Sequence, residues 1–519
     1  MVATSTTTSK YDGEGEDTEL TMDMDVVDLD APDPSEISSS SDGSCFENEP
    51  EHDEKKNNGI NLLLHSFLPE DQFQRSMVLL ASGTLLFLVV IVIPAAVLWS
   101  SSPKESGIDH VLLPTATATT WEAITNDPDS PQHAAYQWLM EDPKLASYEA
   151  WKREQRFALV TFYLSLNGPR WTVHGENESR EEGTWIDHLH DECEWTPEMI
   201  SCNANGRVQR LVTSKIKGFK GSVPEEAQLL TDLAEMDFSD NTLLQSLGDF
   251  LPFQALPSLQ SLVCNRCNLE GTLSPSIGFL TNLQHLALDS NPIAGGLPTT
   301  LGLLTNLQNI SMVFAELSGP LPSELGLLSN LRFMDLDHNS LSHSLPSEIG
   351  MMTALESLVL YNNKVAGTLP STIGLLTNLF SIGLLINRLS GSIPSEVGNL
   401  SQLTSLSLGY NKLSGLLPST IGLMESLTFL DLEANALTGS IPSEIALLDS
   451  NLRIIDMEHN DLTGRIPPEM ATMSNLDLLK LKGNNLQKPD PGELCPLIRE
   501  GLHLEIDSCQ SVVECCPPL

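Results

Sequence analysis

From Val208 onward the hydrophobic positions of the chain fall into register with one another. Counted from the first apolar residue of each segment, units start at Val208, Leu233, Leu259, Leu283, Leu307, Leu331, Leu355, Leu379, Leu403, Leu427, Leu452 and Leu476, most of them 24 residues apart. Each reads L-x-x-L-x-L-x-x-N-x-L-x-G-x-[IL]-P-x-x-[IL]-G-x-L-x-x, as in "LTSLSLGYNKLSGLLPSTIGLMES". The L-x-L stretch alternates with period two and predicts a short strand, and the stretch after Pro is a looser return. A fixed interval means that every copy does the same structural job, so one unit is one coil of a solenoid. The Leu, Ile and Met side chains of one coil cannot be covered by that coil alone, so neighbours stack and bury a continuous core.

Three further positions recur for separate reasons. The Asn of N-x-L, at Asn241, Asn291, Asn339, Asn363, Asn387, Asn411, Asn435, Asn460 and Asn484, faces inward, and a column of buried amides is expected to bond the backbone of the turn after each strand. Cys267 and Ala315 stand at this position in two units. Cys is a small buried substitute, whereas Ala315 is expected to leave turn groups needing water or a rearrangement, at about 1–3 kcal/mol. The Gly that follows lets the chain turn where a Cβ would clash, with His343 the exception. Pro then ends strand pairing, having no N–H to donate.

Upstream the pattern changes. Met77 to Trp99, "MVLLASGTLLFLVVIVIPAAVLW", runs 23 residues without a charge, which at ~1.5 Å per residue crosses a ~30 Å hydrocarbon core as one transmembrane helix. The polar stretch before it marks a signal anchor rather than a cleaved signal peptide. Residues 1–76 carry roughly −15 with few aromatics, the composition of a disordered acidic tail. The whole chain, with 27 Lys+Arg against 69 Asp+Glu, has a formal charge of −42, which argues against nucleic acid as a partner. Arg75, Lys55 and Lys56 precede the apolar run and Lys104 follows it, a balance that leans toward a cytosolic N-terminus. Eight of the nine Cys and the sequons at Asn177, Asn309 and Asn399 lie beyond it, and both suit an oxidising lumen. The expected arrangement is a type II single-pass protein of the plasma membrane, with residues 100–519 outside.

"LSGSIPSEVGNL", at Leu389 to Leu400, is similar to the plant-type leucine-rich repeat (LRR) consensus of receptor-like kinase and receptor-like protein ectodomains. "RFALVTFYLSLNGPRW" and "CEWTPEMISCNANGRVQRL" resemble the N-terminal cap of that family, with Phe157, Leu159, Trp171, Trp185, Trp195 and the pair Cys193 and Cys202. "SPQHAAYQWLMEDP" resembles the lead-in of membrane LRR proteins of microalgae. The resemblance implies an α/β leucine-rich repeat solenoid, a right-handed curved superhelix with a parallel β-sheet on its concave face, and extracellular recognition. It also implies a Cys193–Cys202 bridge that covers the first coil. The chain departs from the family in having its apolar helix before the repeats, no cleavable signal and no kinase signature, so signalling is not implied. The expected organisation is tail 1–76, transmembrane helix 77–99, linker 100–129, cap 130–207, solenoid 208–493 and a Cys-containing C-terminal cap 494–519.

Candidate chemistry is sparse. "HLHDECEW" gathers His188, His190, Asp191, Glu192 and Cys193, which could ligate a metal, but closed zinc sites have defined spacings and Cys193 has a partner, so a solvated cap loop is expected. "CNRC" at Cys264 to Cys267 has redox spacing, yet the register puts both Cys in the core, where thiols are inert. Cys495, Cys509, Cys515 and Cys516 allow three connectivities. No G-x-S-x-G, H-E-x-x-H, P-loop or kinase set occurs, so no enzyme, cofactor or metal is expected.

What remains is surface. In a coil starting at position p, strand alternation points p+2, p+4, p+6 and p+7 outward on the concave face. These positions include Val313, Phe314, Phe333, Tyr361, Leu385, Ile386, Tyr410 and Phe429. Asp237, Asp240 and Asp289 flank them on one side, and Asp431, Glu433, Asp456 and Glu458 on the other. An apolar centre with a polar rim is the anatomy of a recognition patch. The expected function is a membrane-anchored recognition protein that binds an extracellular protein, peptide or glycan on this patch, Asp431 and Glu433 included, and signals through a co-receptor or kinase if at all. The alternative is a structural tether to cell wall or matrix.

Overall fold

The computed structural model describes residues 109–173, 185–196, 198–214, 216–217, 219–243, 256–487 and 502–506, all within one compact unit, Glu105–Leu519. The expected acidic tail, the 77–99 helix, the sequon at Asn177 and the four C-terminal cysteines lie outside the described residues. Among the described residues no helix is long and apolar enough to cross a membrane.

The chain enters through helices α1 (Asp109–Leu112), α2 (Ala118–Asn126), α3 (Pro131–Met140), α4 (Ala150–Ser165) and α5 (Glu192–Trp195). The first two fall in the stretch expected to be linker. They are cap instead: Leu113, Trp121 and Ile124 are buried in the same core as α4. Local signals explain these helices, since the Thr117 and Ser130 hydroxyls accept the first-turn N–H groups of α2 and α3, and Pro131 takes the N1 position. Helix α4 buries Phe157, Leu159 and Phe162 completely. Phe162 packs against Trp171, Phe219 and Phe238, which joins the cap to the first coils.

The loop expected to be solvated docks onto α4. Leu189 and His190 are exposed, but Glu192 and Trp195 are buried. Arg156, 1% exposed, pairs with Asp142 at 3.2 Å and Glu192 at 3.1 Å, and its guanidinium lies over the rings of Trp138 and Trp195. Lys152 reaches Glu192 at 2.9 Å. A buried cation thus holds the loop down, which the polar look of "HLHDECEW" conceals. Cys193 and Cys202 are bridged, with Cα atoms 5.7 Å apart. Cys264 and Cys267 are fully buried, as the register requires, but they are joined to each other and are not free thiols.

From Val208 every coil contributes one strand to a 14-stranded sheet that starts at Ile200–Cys202 and ends at His503–Glu505. The coil strands pair in parallel without slip, as in Asn309↔Phe333, Ile310↔Met334 and Ser311↔Asp335. The inward residue at p+3 is buried in each, for example Ile310, Met334, Leu358 and Ile382. A second, 8-stranded sheet runs from Ser318–Gly319 to Asn485–Leu486. After each Pro the chain returns through a short 3₁₀ turn such as Ser323–Leu327, whose Leu325 points into the core.

Apart from Asn241, whose buried Oδ1 has no hydrogen-bond partner among the described residues, the asparagine column bonds as its burial demands. Asn291 donates to the carbonyls of Cys264, at 2.7 Å, and Leu288, at 2.9 Å. Its Oδ1 accepts the N–H groups of Cys267 and Leu269, both at 3.0 Å. Each Asn therefore serves the coil before its own as well as itself. Where Ala315 breaks the column, the Ile293 N–H turns to the carbonyl of Asn291 at 2.7 Å. Among the described residues, only the coils of Cys267 and Ala315 hold the next residue, Asn268 or Glu316, at positive φ, 57° and 56°. The rearrangement expected from the missing amide is thus a backbone one.

Candidate functional site

The outward face of the 14-stranded sheet carries four rows, p+2, p+4, p+6 and p+7. In the p+4 row stand Ser311, Asp335, Val359, Gly383, Ser407 and Asp431, and in the p+6 row Val313, Asp337, Tyr361, Leu385, Gly409 and Glu433. The p+7 row forms a ridge at their border. In every coil from Leu233 to Leu476 the p+7 residue has positive φ, from 47° at Asn362 to 72° at Gly483. Gly, Asn and Asp adopt this left-handed conformation readily, whereas aromatic and especially β-branched residues do so at a cost of about 1–2 kcal/mol. Phe314 (φ 52°), Ile386 (φ 54°) and Tyr410 (φ 51°) nevertheless hold it. They are 54%, 40% and 47% exposed.

Of the expected patch residues, Val313, Phe314, Tyr361, Leu385, Ile386 and Tyr410 share the p+6 and p+7 rows. Phe333 and Phe429 are half-buried at p+2, across the p+4 row. Phe333 meets Phe380 edge-on at 6.3 Å and lies under the Arg332 guanidinium, so it belongs to a separate aromatic group. Tyr361 is half-buried, and its ring lies over Gly383, where a Cβ would come within 2.4 Å of Cζ. Burial pushes its hydroxyl up from the ordinary value.

Acids interrupt the apolar run. Asp335 and Asp337 occupy p+4 and p+6 of the Leu331 coil, and the same register rule that selects Phe333 places them there. Burial raises the Asp335 carboxyl to about 6 and that of Asp337 in the same direction, offset by His338, whose Nδ1 is 2.7 Å from Asp337 Oδ1. His338 in turn stacks on Phe314, ring centroids 4.2 Å apart. Downstream, Asp431 accepts the Ser407 hydroxyl at 2.9 Å, and burial lifts it to about 6. The Tyr410 hydroxyl donates to Glu433 Oε1 at 2.7 Å, and this bond, with burial, pushes Tyr410 up to about 12. Glu433, Glu458 and His459 bring ligand atoms within 4.8 Å of one another and could hold a metal ion, at a place that no sequence motif marks. Of the described sequons, Asn399 is exposed at the end of a 3₁₀ turn, while Asn309 is half-buried on the concave strand with Ser311 Oγ bonded to Asp289 at 2.6 Å.

The family model described as Leucine Rich Repeat matches residues 330–352, 402–424, 426–448 and 451–473. These segments coincide with the coils that start at Leu331, Leu403, Leu427 and Leu452. The chain is a leucine-rich-repeat protein. No curated protein matches it. The LRR array is similar to the crystal structure of PEPR1–AtPEP1, with 26% identity over 67% of this chain and 51% of that chain and a TM-score of 0.56. It is also similar to the LRR protein LIC12759 of Leptospira interrogans, with 32% identity over 55% of this chain and 69% of that one and a TM-score of 0.46. A third likeness is to the LRR ectodomain of the plant membrane receptor kinase GASSHO1/SCHENGEN3 from Arabidopsis thaliana, with 31% identity over 56% of this chain and 40% of that one and a TM-score of 0.40. The chain spans about half the length of the first solved chains it matches.

Proposed function

We propose that this chain is a membrane-anchored recognition protein whose LRR array binds an extracellular peptide or protein segment along the ridge from Phe314 to Tyr410. The observation that carries this reading is the row of exposed apolar side chains held at positive φ. A left-handed β-branched or aromatic residue is a standing cost, and such strain concentrates where a side chain is needed for binding. Folding alone would favour Gly or Asn at Ile386, as at Gly483 and Asn362. The likeness to PEPR1, crystallised as PEPR1–AtPEP1, supports a role in holding a partner. Anchoring rests on the apolar segment 77–99, with the array outside the cell. Any signal passes through a co-receptor or kinase.

The test separates binding from folding. Ile386→Gly relieves the strain, so the variant should melt no lower than wild type while capturing less ligand from the same extracellular extract. Phe314→Ala and Tyr410→Ala should each lower capture further, by ~2 kcal/mol for a ring at a patch centre, roughly thirtyfold in affinity. Undiminished capture by the triple variant would overturn the reading and leave the structural tether as the better one.

A further inference from the structure

Beyond the ridge, the concave face continues into a group of acids whose partners are unequally shared. Asp431 accepts the Ser407 hydroxyl, and Asp456 pairs with Lys480 at 3.1 Å. Glu458, stacked on Glu433 in the next coil at p+6, is only 8% exposed. Its Oε1 has no hydrogen-bond partner among the described residues. A buried carboxylate oxygen without a donor, in a coil stacked ~4.8 Å from one that carries a second carboxylate, is disfavoured on both counts. Lys480 acts on Glu458 through space but is paired with Asp456, so a further positive group is needed to satisfy this oxygen. His459 follows Glu458 at p+7 with φ 53°, and its ring fits because Gly483 lies beside it: a Cβ there would come within 2.5 Å of Nδ1.

We propose that Glu433, Glu458 and His459 form a binding site for one divalent transition-metal ion, Zn²⁺ by preference, on the concave face. The donor set argues for this class. Imidazole suits Zn²⁺ and its neighbours, whereas Mg²⁺ and Ca²⁺ take oxygen alone. Two carboxylates and one imidazole supply three protein ligands and leave a fourth position open toward the concave groove, the arrangement that admits an outside ligand. Tyr410 orients the first carboxylate by donating to Glu433 Oε1, the outer support that ligating carboxylates usually have. Metal binding here does not depend on the ridge being a recognition surface, so either proposal can fail alone.

The purified full-length chain, stripped with chelator, is titrated calorimetrically with ZnCl₂, with CaCl₂ as comparison. Glu458→Gln and His459→Ala are titrated alongside it, and Asp237→Asn serves as a remote acidic control. The expected result is one Zn²⁺ per chain that Asp237→Asn retains and that each site variant binds at least about tenfold more weakly. Zn²⁺ should raise the melting temperature of wild type and not that of the Glu458→Gln/His459→Ala double variant. Melting of all variants in chelator establishes that they fold; Glu458→Gln should then melt no lower than wild type, because it removes a buried charge. Equal stoichiometry and affinity in wild type and double variant would overturn the proposal. So would Zn²⁺ binding no tighter than Ca²⁺ in wild type.

Discussion

His343 sits where neighbouring coils place glycine, between Gly319 at φ 78° and Gly367 at φ 74°, and it takes the same conformation at φ 67°. Its exposed side chain makes only a local contact with Ser342. His343→Gly should therefore stabilise the array by about 0.5–1 kcal/mol, the strain removed exceeding the extra freedom of the unfolded chain; a lower melting temperature would show that the ring has a structural role. Asp335 gives a pH-dependent counterpart. Burial raises its carboxyl from 3.8 to about 6 in the folded chain, so the native state holds this proton more tightly than the unfolded one. Its contribution is most favourable below about pH 4 and is lost as pH rises through about 6. Asp335→Asn should consequently raise stability at neutral pH, by on the order of 2 kcal/mol, and flatten the melting temperature between pH 4 and 7. An unchanged pH profile would contradict the assignment. At this scale the sequence is unevenly legible: His343 stands out against its column of glycines, whereas apolar character does not single out Asp335 and Asp337 in the same coil as Phe333.

Among elements, the cap shows where pattern fails and why. Residues 109–126 are rich in Thr and Ala and lack a strong apolar period, so they read as linker, yet Trp121 and Ile124 are enough to bury α2. The loop from Asp187 to Trp195 reads as solvated because charge is visible in sequence and charge pairing is not. Arg156 lies between Asp142 and Glu192, both with side chains 0% exposed. Arg156→Met leaves the buried Asp142 without its cation and Glu192 with Lys152 alone, and should destabilise the cap by about 3–5 kcal/mol, read as an early melting step. If the variant melts with wild type, the ion network is dispensable. The coils, by contrast, were legible strand by strand, because their period of 24 residues fixes which side chain faces the core. What the period hides is backbone: the left-handed p+7 ridge falls on a position that the consensus writes only as x.

For the whole molecule, the direction of the asparagine bonds makes the coil a unit of exchange. From Asn291 onward each Asn completes the turn of the coil before it, so a coil brings the acceptor its predecessor needs and in turn depends on its successor. Ala315 is the place where this succession is interrupted, and Ile293 bonds within its own coil instead. Excising residues 307–330 would set the Leu283 coil directly against the Leu331 coil. Asn339, whose Oδ1 now accepts Leu317 N–H at 2.8 Å, would then face Ile293 in the same register. Because stability in such arrays is close to a sum of coil and nearest-neighbour terms, the shortened chain should fold with a melting temperature near that of the parent. Excising the intact coil 379–402 gains no such repair and should lower it more; the reverse order would refute the account. An array built this way can change length by duplication or loss of one coil at a time and remain folded after each step, so the length of its outward face is open to inheritance in increments of a single strand.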